Sequence, residues 1–123
     1  MLAYSIVAIG TSWGGLSAMT QLLRALPEDF AIPIVIVQHR SKDSDHLLSH
    51  LLQDSTGLEV CEIEDKDVLE AGRVHVAPAN YHVMLEPGYA SLTVEEPVRY
   101  SRPSIDVMFE SAADAYGDRK SVV

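Results

Sequence analysis

The sequence predicts an α/β fold: a doubly wound, mainly parallel sheet with an antiparallel hairpin, arranged in three layers, α/β/α, whose last part is expected beyond the final residue. Three observations carry this. Ala3 to Ile9 (AYSIVAI) and Ile32 to Val37 (IPIVIV) are nearly continuous apolar runs, the pattern of strands buried on both faces. Each is followed by a segment with apolar residues at helical spacing, and β-α-β-α alternation calls for parallel strands joined by right-handed crossovers. From Glu59 onward the runs are short, partly alternating and separated by Asp, Gly and Pro, as in hairpin-connected strands.

Taken in order, the first strand stops at Gly10, and a glycine-punctuated turn follows. Leu16, Met19, Leu22, Leu23 and Leu26 form the apolar stripe of a helix that ends before Pro27. After the second strand, Leu47, Leu48, Leu51 and Leu52 predict a helix over Asp45 to Gln53, with Asp43 or Ser44 to cap it. Glu59 to Ile63, Arg73 to Ala77 and His82 to Glu86 read as strands, and Pro87-Gly88 joins the last to Ser91–Val94 in a hairpin. Beyond Pro103, a helix runs through Ile105, Met108, Phe109 and Ala112 to a C-terminal cap at Gly117. Ser121-Val122-Val123 reads as the opening of a further buried strand.

Composition narrows the function classes. The 123 residues form one domain, residues 1–123, with 47% apolar and 22% charged side chains. A chain of this size buries roughly 65 to 70% of its unfolded surface, enough for a core without staples. One cysteine excludes an internal disulfide, and an unpaired Cys61 suits the cytoplasm. A formal charge of −9 repels phosphate backbones and anionic headgroups, which argues against nucleic acid and membrane surfaces as partners. No apolar run reaches the roughly 20 residues of a bilayer span.

Gly10-Thr11-Ser12-Trp13-Gly14 satisfies G-x-S-x-G between a buried strand and an amphipathic helix. A dinucleotide loop would need glycine where Ser12 stands, and the Gly-Lys-Ser/Thr of a Walker loop is missing. Two readings of the turn remain open on local grounds. Ser12 is a nucleophile on a sharp strand-to-helix turn, with backbone N–H groups at the helix start to hold an oxyanion, or the glycines merely permit a tight turn with Ser12 as its N-cap.

Gln38-His39 tips the balance towards chemistry, because it leaves the carboxyl end of the next strand, on the edge where open α/β sheets place their sites. An imidazole there can act as base to Ser12 and then as acid to the leaving group. His46 and His50 stand i, i+4 without a placed third ligand, so no metal site and no cofactor are expected. His75 reads as structural, His82 is open, and Cys61 reads as buried and inert. Trp13 either lines a groove or packs on the sheet edge, and Arg102, in the basic stretch RYSRPSI, either binds a carboxylate or braces a loop.

IVAIGTSWGG, IVIVQH, VHVAPANYHV and RYSRPSIDVMF, in this order over essentially the whole chain, resemble the catalytic domain of the bacterial chemotaxis protein-glutamate methylesterase, the CheB family. The resemblance implies Ser12 as nucleophile and His39 as base. It implies methyl-glutamates of chemoreceptor cytoplasmic helices as substrate, methanol as leaving group, and deamidation of receptor glutamines as a second activity. Gly14, Trp13 and Arg102 are oxyanion or groove candidates, and the RPSID segment is expected to flank the cleft. The orienting aspartate is expected beyond Val123, and this chain by itself is expected to be a weak or inactive esterase that associates through an unpaired sheet edge. The family's receiver domain is expected to be absent ahead of Met1. Trp13 stands where the family commonly has Thr, and Arg40 where Met is frequent. The competing reading is a catalytically incomplete domain that serves as a protein-binding module, and a phosphate or nucleotide binder at the same turn is a more distant one.

Overall fold

A computed structural model describes residues 5–11, 16–38, 47–79, 81–94, 105–117 and 120–122. The predicted alternation is realised by β1 (Ile6–Thr11), α1 (Leu16–Ala25), β2 (Ile34–Gln38), α2 (Leu47–Gln53) and β3 (Glu59–Glu62), followed by β4 (Asp67–Val68), β5 (Arg73–Val76), β6 (His82–Glu86), β7 (Tyr89–Thr93), α3 (Ile105–Tyr116) and β8 (Lys120–Val122). Five strands, in the order β3-β5-β2-β1-β8, make a sheet whose described pairings are all parallel. The hairpin belongs to a separate three-stranded antiparallel sheet, β4-β7-β6.

Alternation along the central strands sorts their side chains into two cores. Ile6 and Ala8 of β1 with Val35 and Val37 of β2 meet Met108, Ala112 and Tyr116 of α3, together with Val83, Leu85 and Ala90 of the hairpin. Ile9, Ile34, Ile36, Val74 and Val76 on the opposite face meet Met19 and Leu23 of α1 and Leu48 and Leu52 of α2. This is a three-layer α/β/α arrangement. Each fully buried Ile, Leu, Val or Met contributes about 1.5 to 3 kcal/mol, and the two-sided burial is why the strands read as unbroken apolar runs.

The structure moves several boundaries. The first strand does not stop at Gly10, because pairing with β2 continues through Gly10↔Val37 and Thr11↔Gln38. Residues 67–68 form a strand where the sequence shows only turn-like residues: Asp67 and Val68 pair with Ala90 and Tyr89 on the free side of β7. That hairpin opens at Tyr89, not Ser91, because Glu86↔Tyr89 closes directly over Pro87-Gly88. Proline cannot take a positive φ, and Gly88 sits at φ 85°, so the loop has the character of a type II turn. Gly117 caps α3 at φ 54°, the left-handed conformation expected of a helix-ending glycine. Residues 120–122 pair in parallel with Ile6, Val7 and Ala8. No helix among the described residues is long and apolar enough to cross a membrane.

Candidate active site

The strands that precede the two turns singled out in the sequence run side by side. β1 and β2 are parallel neighbours, and among the described residues their last pair is Thr11 and Gln38. Ser12 and His39 are the next residues of their respective strands, each one peptide, about 3.8 Å between Cα atoms, beyond that pair. Gln38 is only 6% exposed. It follows Ile34 and Ile36 on the face covered by α1 and α2. Ser12, Trp13, Gly14, His39, Arg40 and Arg102 themselves lie outside the described residues.

On the other face of β1, α3 closes against the strand end. A Cβ at Gly10 would overlap Ile105 Cγ2 and would lie 3.1 Å from Phe109 Cζ. Ile105 follows Arg102 after two intervening residues, and the start of α3 touches the strand that leads towards Ser12. Helical spacing puts Ile105 and Phe109 on one face in the sequence, but which glycine they meet is a tertiary fact that no local pattern carries.

The remaining chemistry-bearing side chains are organised elsewhere. His75, in the middle of β5, is 1% exposed, and its Nε2 accepts the Glu70 amide at 3.2 Å. The ring proton is therefore assigned to Nδ1, which stands 3.5 Å from Cys61 Sγ, its register partner on β3. Burial lowers the His75 pKa and raises that of the Cys61 thiol, which keeps the pair neutral. Cys61 is half-buried, not fully buried as the sequence suggests, because β3 is an edge strand. Its histidine neighbour comes through strand register, so the sequence around Cys61 gives no sign of it. Arg73 Nε lies 3.2 Å from both Glu59 and Glu70, an exposed cluster that contributes little to stability.

His82, at the start of β6, is 2% exposed, and His50 is exposed on α2. His46 lies outside the described residues. Among the described residues no group of three or more His, Cys, Asp or Glu side chains is arranged to hold a metal ion. What the described geometry offers is a pair of adjacent parallel strands, β1 and β2, with a close helix contact at Gly10 on one of them.

A family model described as CheB methylesterase matches residues 7–123. A protein of Anaeromyxobacter dehalogenans named protein-glutamate methylesterase/protein-glutamine glutaminase 2 is 42% identical, covering 93% of this chain and 33% of that protein. A Burkholderia orbicola protein, numbered 3 under the same name, is 44% identical over 97% of this chain and 36% of its own length. A Leptospira interrogans relative is 43% identical over 94% of this chain. The chain spans 61% of that relative's length. The crystal structure of the Thermotoga maritima CheB methylesterase catalytic domain superposes with a TM-score of 0.89 at 29% identity, covering 98% of this chain and 66% of that one.

Proposed function

The chain belongs to the CheB methylesterase family, and on that premise we propose that it is the Ser-His part of a protein-glutamate methylesterase acting on methylated chemoreceptor helices in chemotaxis adaptation. The single observation that carries this reading is the in-register pairing of Thr11 with Gln38, which sends Ser12 and His39 off neighbouring strand ends at one edge of the sheet.

In this reading Ser12 Oγ attacks the carbonyl carbon of a methyl-glutamate side chain while His39 takes its proton. The tetrahedral oxyanion would take hydrogen bonds from backbone N–H groups of the Ser12–Gly15 segment ahead of α1, and the dipole of a helix start favours negative charge. Trp13 and Gly14 belong to that turn. Collapse breaks the ester C–O bond, and the protonated His39 gives its proton to the departing methoxide, releasing methanol. Water, deprotonated by His39, then attacks the acyl-serine and restores Ser12 with a glutamate product.

Attack on a glutamine amide follows the same steps with ammonia leaving, in line with the glutaminase in the relatives' names. Receptor helices are the partner, with Arg102 and Trp13 at the substrate groove, and the site of action is the cytoplasm. An orienting aspartate for His39 belongs to a segment following Val123. Without such a carboxylate a Ser-His pair loses about 10⁴ in rate through a misplaced tautomer.

The test is methanol release from a methylated receptor cytoplasmic fragment, measured for this chain, for a form extended beyond Val123, and for that form carrying Ser12→Ala. Release by the extended form that Ser12→Ala abolishes is the expected result. A folded extended form that binds the fragment and releases nothing would instead make the domain a binding module.

A further inference from the structure

We propose that Ile105 is a positioning residue for the nucleophile, a stop on the α3 side that fixes where the end of β1 presents Ser12. The proposal rests on Ser12 being the nucleophile. Gly10 shares its face of β1 with Ile6 and Ala8, the face that α3 covers. Ile105 and Phe109, one helical turn apart, both reach the space above it, and a single added carbon at Gly10 would collide with the Ile105 β-branch methyl. The glycine is not there for its backbone angles. The left-handed residues among those described are Lys66, Gly72, Gly88 and Gly117. Gly10 is glycine because of what touches it.

The reason this contact matters to chemistry lies in the directions that the other contacts leave free. Ladder hydrogen bonds to β2 hold Gly10 and Thr11 within the plane of the sheet. Among the described residues, the pairing of β1 with β8 covers Ile6, Val7 and Ala8. Motion normal to the sheet is opposed by side-chain packing, and on the α3 side Ile105 and Phe109 supply it at Gly10. No more than about 7 Å of extended chain separates Gly10 from Ser12. A displacement of the order of 1 Å at a reacting group costs about 10²-fold in rate.

The experiment is labelling of Ser12, in a form extended beyond Val123, by an alkyl fluorophosphonate, localised by peptide mass spectrometry. The limiting labelling rate is read separately from the half-saturating probe concentration, and thermal unfolding is followed in parallel. Ile105→Ala is expected to lower the limiting rate about tenfold, and Gly10→Ala about 10²-fold, at temperatures where both are folded and with little change in half-saturation. Combining the two is expected to return the rate to within about threefold of the parent, because the added methyl enters the space the isoleucine vacates. Leu58→Ala, a truncation in the core on the opposite face, serves as the stability control and is expected to leave the rate unchanged.

If Gly10→Ala does not fold, Ile105→Leu decides: it keeps the volume, moves the branch away from Gly10, and is expected to slow labelling several-fold. Parent-like rates in Ile105→Ala and Ile105→Leu overturn the proposal while leaving Ser12 as nucleophile, and so does equal slowing by Leu58→Ala. A parent chain labelled elsewhere, or not at all, overturns the nucleophile reading and the positioning role with it.

Discussion

The backbone amide of Leu85 donates a hydrogen bond to Ser111 Oγ at 2.8 Å, joining the hairpin to the middle of α3 inside the core. Ser111 Oγ in turn donates a hydrogen bond to the Met108 carbonyl at 2.7 Å, so one buried hydroxyl serves as acceptor and donor at once. Ser111→Ala leaves the Leu85 amide without its partner in a dry environment and is expected to cost about 1 to 3 kcal/mol. Urea unfolding of the two proteins checks it, and a midpoint within error of the parent would show that water reaches the site.

Tyr116, in the last turn of α3, straddles the Pro87-Gly88 turn: its hydroxyl donates to the Glu86 carbonyl and accepts from the Gly88 amide, both at 2.9 Å. Tyr116→Phe keeps the ring in the core and removes both bonds, with an expected loss of about 1 to 3 kcal/mol. Hydrogen exchange should quicken at the Gly88 amide more than in β1 and β2. Uniform quickening would mean that the tyrosine acts through global stability alone.

His75 makes stability depend on pH in a definite direction. Burial, reinforced by Arg73, lowers its pKa in the folded state, against the opposing carboxylates of Asp67 and Glu70. Between the folded value and the unfolded value of about 6.5, the unfolded chain binds more protons, so stability rises with pH in that window. Melting temperature is therefore expected to hold above about pH 6.5 and to fall as the pH drops below it. His75→Gln should flatten that acid limb, and an unchanged limb would assign it to other groups.

His39→Gln in a form extended beyond Val123 is expected to lower methanol release by about 10²- to 10⁴-fold through loss of the general base. Substrate binding should change little, since the glutamine amide is of similar size and is also polar. Steady-state kinetics separate the two, and a rise in KM with kcat intact would make His39 a binding group.

β8 closes one end of the described sheet order, and association through such an edge is expected for the isolated chain. Light scattering across a dilution series should show a mass that falls with concentration. A mass independent of concentration in the parent chain would remove edge pairing as the cause.

The chain's own residues determine a good deal by themselves. Continuous apolar runs at Ile6–Ile9 and Ile34–Val37 demand burial on both faces, and the stripe Leu16, Met19, Leu23 demands a helix to cover them. Pro27 and Gly117 bound helices through backbone chemistry that acts locally, and the Ser12 and His39 motifs are recognisable because each follows directly on such a strand. Local periodicity reaches no further than the element that carries it. That β1 and β2 end level at Thr11 and Gln38 was decided by the sheet ladder, and that a histidine lies against Cys61 by the register of β3 on β5. The two-residue strand at Asp67 exists because the edge of β7 offers it hydrogen bonds. Gly10 lacks a side chain because Ile105, ninety-five residues later, occupies its space. Interactions between residues far apart in sequence arise only when the layers pack, and so only the tertiary structure could decide them.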